Sequence, residues 1–167
     1  LTAISESWAA EHGAATRIAW PKGAMLAPGN EGVAGRILQT YESIGYVQYG
    51  LAKQLGLPQA AIENKAGAFV PPSETAGEAA IAGSAELLPD DLRLFVADPP
   101  AAGAYPITTF SWLLLYASYR DEAVRAAVSD FVRFGLTTGQ GFAAELGFLP
   151  LAPAVAERSL SALDTLT

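Results

Sequence analysis

The sequence has no cysteine and a single histidine, and these two shortages exclude several kinds of site. Disulfide bonds and thiolate-ligated metals both require cysteine. His12 has no further ligands at close spacing for a metal, and a Ser–His–acid triad would have only this imidazole to use. We expect His12 at the surface, in the last turn of a helix. The prediction is therefore a protein that is not an enzyme and has neither a metal nor another cofactor.

Positive charge and long apolar runs are also scarce. Ten Lys and Arg are scattered among 17 Asp and Glu, for a net charge of −7. Nucleic acids are bound by clustered basic residues, so no nucleic-acid partner is expected. No apolar run reaches the roughly 18 residues of a membrane-spanning helix, and the strongest, Phe110 to Ala117, has the length of a strand. Apolar residues make up 51% of the chain and charged residues 16%, a composition typical of a globular core rather than of disorder.

Helix and strand signals alternate along the chain, which indicates an α/β fold. The predicted helices are Leu1–His12, one opening at Gly29–Asn30, Gly50–Leu55, one capped by Ser73 and running to about Ala82, one capped by Asp121, Phe142–Leu146 and Ala154–Leu166. The predicted strands are Thr16–Trp20, Ile44–Tyr49, the two arms of a hairpin at 61–64 and 68–70, Leu92–Val96 and Ile107–Ala117. The helix after Asp121 carries an apolar stripe at Val124, Ala127, Val128, Phe131 and Phe134 that is expected to face a core.

The stretch from Gly29 to Tyr49 organises the prediction for the first half of the chain. Asn30 suits the N-cap position of a helix, and the strand Ile44–Tyr49 follows after a break. Backbone N–H groups at such a helix start favour anions, which makes Gly29, Asn30 and Gly32 candidate anion contacts. An ordinary capped helix is the alternative, because Glu31 in the first turn satisfies the helix dipole and repels phosphate.

An ordered set of short motifs resembles the phosphate-binding protein of bacterial ABC phosphate importers. The motifs span essentially the whole chain, and no single one of them is decisive. They are Trp8, Thr16–Pro21, Gly29–Val33 with the letters GNEGV, Ser43–Tyr49 with the letters SIGYVQY, Asn64–Gly67, and Tyr105–Thr108 with the letters YPIT.

This resemblance implies a type II periplasmic-binding-protein-like α/β fold, present here in part. Residues 1–104 would be the second part of lobe two, and residues 105–167 the returning segment of lobe one. The composition supports the same boundary, because Asp98–Ala104 is a linker of small residues, Pro and Gly. The resemblance further implies that Tyr105, Pro106, Ile107 and Thr108 form part of the hinge between the lobes.

The phosphate ligands of that family precede the part that the chain matches, so the ligand-binding residues cannot be mapped onto it. We expect a C-terminal fragment of an exported protein of the periplasm or cell surface. Its expected partners are inorganic phosphate, bound through the missing half, and an inner-membrane ABC permease, with self-association of the fragment a further expectation. The alternative is a binding-protein-like domain that serves protein–protein contacts and has no small-molecule ligand.

Overall fold

The computed structural model describes residues 1–15, 17–82 and 84–167. Within these residues the chain forms helices and one small antiparallel hairpin. The elements are α1 (Glu6–Glu11), α2 (Gly29–Gln39), α3 (Tyr49–Gln54), β1 (Ile62–Glu63), β2 (Phe69–Val70), α4 (Glu74–Ile81), α5 (Ser84–Leu87), α6 (Glu122–Leu136), a 3₁₀ helix (Thr138–Phe142) and α7 (Pro153–Leu163). No helix in the described ranges combines the length and the apolar character needed to span a membrane.

Side-chain caps set the starts of several helices. The Ser73 hydroxyl accepts a hydrogen bond from the backbone N–H of Ala76 at 3.1 Å, and α4 begins at the next residue. The Asp121 carboxylate accepts from the backbone N–H of Ala123 at 2.8 Å and starts α6. Both caps confirm the prediction, because short oxygen-bearing side chains satisfy the free N–H groups of a first turn.

The hairpin confirms one of the predicted pairs of strands, although each arm is short. Ile62 pairs with Val70 and Glu63 with Phe69. The connecting turn contains Gly67, whose φ of +78° is in the left-handed region that glycine adopts readily.

The other predicted strands are wrong. Residues 44–48, 92–96 and 108–117 form no strand, and the extended pairing near them is limited to one isolated bridge between Ala97 and Ile107. The same holds for residues 17–20, whereas Thr16 lies outside the described residues. β propensity reflects how well a side chain fits a half-buried pleated surface. No described residue supplies such a surface to these segments, so apolar side chains such as Ile44 stay exposed, at 93%. The predicted mixture of helices and sheet is confirmed, but the sheet in this part of the chain has two strands.

Two helix predictions at the end of the chain also need correction. The predicted helix Phe142–Leu146 is replaced by the 3₁₀ helix, which ends at Phe142, and by turns after it. The last helix, α7, ends at Leu163 rather than at Leu166. Helix ends fray and close with tighter turns, so the sequence pattern locates them only approximately.

The core is small and rich in alanine. One buried cluster joins α2 to α3 through Ala34, Ala52 and Leu57, with Ile37 and Leu51 packed against it. Elsewhere α6 packs on α7, and the pair is also held by an ion pair between Arg133 and Asp164. None of the Phe, Tyr or Trp side chains is buried, all of them being among the described residues. This is unusual for aromatic side chains, which carry much of the burial in a complete core.

Candidate functional site

The helix start that was predicted to cap at Asn30 is built differently. Helix α2 begins at Gly29, whose φ is +65°, and Pro28 precedes it without a side-chain cap. Asn30 is already inside the first turn, so its predicted role as N-cap is wrong. Its Oδ1 atom instead accepts a hydrogen bond from the backbone N–H of Gln48 at 3.0 Å. The side chain therefore ties the start of α2 to the start of α3.

The side chains of Glu31 and Pro28 lie against the two candidate glycines, Gly29 and Gly32. A Cβ added to Gly29 would lie 3.2 Å from the Oε2 atom of Glu31, so this carboxylate is folded against the helix start. A Cβ added to Gly32 would lie 3.0 Å from Cδ of Pro28, so Gly32 permits close packing of the preceding loop. A carboxylate at a helix N-terminus is favourable and occupies the place of an external anion. Anion contacts at Gly29, Asn30 and Gly32 stay a prediction.

Gln48 links three parts of the chain and was missed by the sequence analysis. Its Oε1 atom accepts from the backbone N–H of Leu51 at 3.2 Å, which caps α3. Its Nε2 atom donates to the carbonyl of Gly147 at 2.8 Å, across 99 positions of sequence. The only local signal for this role was the position of Gln48, whose amide both donates and accepts hydrogen bonds, just before the helical pattern of α3.

The segment Tyr105–Thr108, predicted as part of a hinge, is held at its first residue. The backbone N–H of Tyr105 donates to the carbonyl of Ala76 in α4 at 3.0 Å. The Thr108 hydroxyl donates to the carbonyl of Tyr105 at 3.1 Å, and Ile107 forms the isolated bridge with Ala97. Burial raises the pKa of the Tyr105 phenol, because the low-dielectric surroundings disfavour the phenolate. Pro106 stands within this anchored turn.

Asn64 connects the hairpin to the predicted linker Asp98–Ala104 by hydrogen bonds. This side chain is only 5% exposed, and its Nδ2 atom lies within hydrogen-bond distance of the carbonyls of Ala101, Ala102 and Ala104, at 3.3, 2.9 and 3.1 Å. Its Oδ1 atom accepts from the backbone N–H of Ala68 at 3.1 Å. The small residues of 98–104 thus form an anchored turn, in which Ala104 is completely buried.

An open cleft of about 500 Å³ lies between the loop after Trp20 and helix α2. Its walls are mostly apolar, with one guanidinium, that of Arg36, and one carboxylate, that of Glu42. Beyond these two, the cleft is lined by Trp20, Pro21, Gly23, Ala24, Met25, Val33, Ile37, Thr40, Tyr41, Ser43 and Ile44. The described residues contain no group of three or more His, Asp or Glu side chains able to hold a metal ion.

The single histidine belongs to a row of aromatic rings. His12 lies 4.3 Å from Trp8, Trp8 lies 6.0 Å from Trp20, and Trp20 lies 6.3 Å from Tyr46, measured between ring centroids. His12 lies at the C-cap of α1, close to the predicted last turn, but its side chain is 12% exposed and so is partly buried rather than fully at the surface. Packing against Trp8 explains the burial, because ring contacts of this kind stabilise at such distances.

The chain is similar in sequence to curated phosphate-binding proteins. It is 35% identical over 153 residues to the phosphate-binding protein PstS of Xylella fastidiosa (strain Temecula1), a match that covers 92% of this chain and 42% of the relative. It is 32% identical over 158 residues to PstS of Pasteurella multocida, covering 95% of this chain and 46% of the relative. PstS of Methanocaldococcus jannaschii is 32% identical over 156 residues, a match that covers 84% of this chain and 40% of the relative. No family model matches the chain.

These relatives are named for binding phosphate and not for a reaction, which agrees with the prediction of a binding protein rather than an enzyme. The chain spans less than half the length of the curated relatives it matches. The resemblance inferred from the sequence motifs is thereby confirmed, and over nearly its whole length the chain is related to the phosphate-binding proteins PstS.

Proposed function

We propose that these 167 residues are part of the substrate-binding component of an ABC importer for inorganic phosphate. The observation that carries this proposal is the identity of 31–35% to five phosphate-binding proteins over most of the chain. Under this proposal the protein works in the periplasm or at the cell surface and delivers its ligand to an inner-membrane permease.

The finer architecture is part of the same proposal. Residues 1–104 belong to lobe two of a type II periplasmic-binding-protein fold, residues 105–167 return to lobe one, and Tyr105–Thr108 contribute to the hinge. The anchoring of Tyr105 on Ala76 supports this boundary, since a hinge requires a rigid body on at least one side of the turning point. Residues 109–116, just beyond it, form neither helix nor strand.

The phosphate ligands are proposed to lie in polypeptide beyond these residues. Phosphate is held by several N–H and O–H donors that converge on its oxygens, with Arg a frequent bidentate partner. The start of α2 faces the carboxylate of Glu31, and the cleft beside it offers Arg36 together with Glu42. Neither place assembles a set of donors free of an opposing carboxylate. Closure of two lobes about the hinge would complete the site around a desolvated anion.

A second candidate function is a binding-protein-like domain that contacts other proteins and has no small-molecule ligand. The large number of exposed apolar side chains favours it, because contiguous apolar surface marks interaction sites.

Isothermal titration calorimetry with inorganic phosphate distinguishes the phosphate-binding function from the protein-contact function. The 167-residue chain is expected to bind negligibly, whereas a longer polypeptide of PstS length that contains these residues is expected to bind phosphate. Submillimolar binding by the 167-residue chain would overturn the placement of the ligands. Absence of binding by the longer polypeptide would favour the second candidate.

A further inference from the structure

The turn at residues 88–92 holds a leucine in an unfavourable backbone conformation. Leu92 has a φ of +59°, in the left-handed region where the Cβ atom of an L-residue crowds the following carbonyl oxygen. A hydrogen bond from the backbone N–H of Leu92 to the carbonyl of Pro89, at 3.0 Å, closes the turn. Because a strained conformation persists only where surrounding contacts impose it, other groups must restrain this turn.

One restraint on Leu92 is local and weak. The carboxylate of Asp91 accepts a hydrogen bond from the backbone N–H of Arg93 at 3.1 Å and another from Nε of the same residue at 2.8 Å. Both side chains are exposed, and an exposed ion pair contributes little to stability. The stronger restraints therefore come from distant parts of the chain.

Helix α7 supplies the first distant restraint through Arg158. Its guanidinium donates to the carbonyls of Leu88 and Pro89, the latter at 3.3 Å, and its Nη2 atom lies 3.8 Å from Oδ1 of Asp90. Leu88 is only 6% exposed, and α5, which ends just before the turn, packs against α7. A planar guanidinium that donates to two successive carbonyls fixes the orientation of both peptide groups.

Trp112 supplies the second distant restraint, at the other end of the turn. Its indole Nε1 atom donates to the carbonyl of Leu92 at 3.0 Å, and its ring lies 5.1 Å from that of Phe95. This bond ends on the strained residue itself. A change in the φ of Leu92 would turn that carbonyl away from the indole and break the bond.

We propose that residues 88–92 form a strained latch, which Arg158 and Trp112 close and which opens as one unit. The two side chains bind opposite ends of the same turn, so losing either restraint lets Leu92 relax and loosens the other. The left-handed conformation of Leu92 favours opening, and the two donors oppose it.

The latch crosses the proposed boundary between residues 104 and 105. The turn belongs to residues 1–104, whereas both donors belong to residues 105–167. A rotation of the two parts about Tyr105–Thr108 would draw the donors away from the turn, so the latch opposes that rotation. This role rests on the division into lobes given under the proposed function, but it does not depend on phosphate as the ligand.

Hydrogen exchange of the Trp112 indole N–H, followed by NMR on the 167-residue chain, measures the opening of the latch. Arg158→Met removes the guanidinium and is expected to speed this exchange at least about 10-fold, although the two side chains bind different ends of the turn. Arg133→Met is the matched control, because Arg133 pairs with Asp164 at the end of the same helix, and it is expected to leave the exchange unchanged. Unchanged exchange in Arg158→Met, or equal acceleration in both variants, would overturn the latch.

Leu92→Gly tests the strain and does not remove either donor. Glycine adopts a φ of +59° without the steric cost, so exchange of the Trp112 indole is expected to slow about 5- to 30-fold, the ratio set by the usual cost of a left-handed residue. Leu94→Gly is the control, because Leu94 is also partly exposed and its φ is not positive. Exchange that is unchanged or faster in Leu92→Gly would overturn the assignment of strain to this residue.

Spin labels test the role of the latch across the boundary. Since the chain has no cysteine, one pair of labels can be placed with Lys65→Cys and Asp130→Cys, at exposed positions in the hairpin turn and in α6. The label-to-label distance distribution, measured by pulsed electron paramagnetic resonance, is expected to broaden in Arg158→Met and to stay the same in Arg133→Met. An unchanged distribution in Arg158→Met would overturn this role. No phosphate is added, so the result is separate from the calorimetric test of the proposed function.

Discussion

Gly50 and Gly147 approach each other so closely that neither position has room for a side chain. A Cβ added to Gly50 would lie 2.5 Å from Cα of Gly147, and a Cβ added to Gly147 would lie 2.4 Å from Cα of Gly50. The hydrogen bond from Gln48 to the carbonyl of Gly147 holds the same two segments together. The start of α3 and the turn after the 3₁₀ helix therefore meet through backbone atoms.

Replacing Gly147 with alanine is expected to destabilise the chain by about 2–4 kcal/mol. The added methyl group would meet the backbone of Gly50, which cannot rotate away, and Gly147 has a φ of +77° that disfavours other residues. Urea denaturation of the variant measures the change. Gly135→Ala is the matched control, because no atom lies within 4 Å of the added Cβ and the site is helical. It is expected to stabilise by about 0.5–1 kcal/mol, and equal destabilisation of both variants would contradict the close approach.

Asn64→Ala is expected to cost about 2–4 kcal/mol. The change leaves the buried carbonyl of Ala104 without its donor and the backbone N–H of Ala68 without its acceptor, and each unsatisfied group withdrawn from water is expensive. Asn64→Asp is expected to cost more at neutral pH, because a carboxylate would face the carbonyl oxygens of Ala102 and Ala104. Denaturation midpoints of the two variants provide the ranking. A milder effect of aspartate would show that the amide does not donate to these carbonyls.

Removal of the Asp121 cap is expected to weaken helix α6. Asp121→Ala should cost about 1 kcal/mol, since the backbone N–H groups of Ala123 and Val124 lose their acceptor. Asp121→Asn retains an oxygen at the same place and is the control, with a change of a few tenths of a kcal/mol. Thermal unfolding followed by circular dichroism distinguishes them. Equal losses for both variants would assign the effect to charge at the helix start rather than to capping.

The Glu122–Arg125 pair is expected to respond to acid in a defined direction. The hydrogen bond and the charge of Arg125 lower the pKa of the Glu122 carboxyl below its usual range. Because the folded value is the lower one, the contribution of the pair is present above the unfolded pKa of about 4.3 and is lost as the pH falls through the folded pKa. Carbon-detected NMR titration of Glu122 measures the shift, and Arg125→Gln should return it toward the ordinary value. An unchanged titration in the variant would contradict the assigned cause.

Phosphate titration of Glu31→Gln tests the start of α2 directly. The substitution removes the carboxylate that faces Gly29 while keeping the length of the side chain. We expect neither the original chain nor the variant to bind inorganic phosphate in calorimetry, because one helix start without converging side-chain donors holds the anion weakly. Binding that appears only in the variant would show that Glu31 masks an anion site.

Several features of this chain were determined by its sequence alone. The caps at Ser73 and Asp121, the hairpin around Gly67 and the helices α2, α3 and α4 all depend on interactions within a few residues, which a local pattern reveals. The ordered motifs also predicted the similarity to phosphate-binding proteins, and the comparisons confirm it.

Only the tertiary structure decided where the remaining segments find partners. The predicted strands Ile44–Tyr49 and Ile107–Ala117 have the required residues, but a strand exists only where another backbone pairs with it. Among the described residues this pairing is limited to the single bridge between Ala97 and Ile107. At the candidate site, too, the partner of a side chain was decided by the tertiary structure. Asn30 was expected to cap α2 and instead accepts a hydrogen bond from Gln48, because a contact across 18 positions depends on how two helices are brought together. Local chemistry determines the caps at Ser73 and Asp121, whereas pairing, burial and the contacts of Asn30 depend on distant residues that a local pattern does not contain.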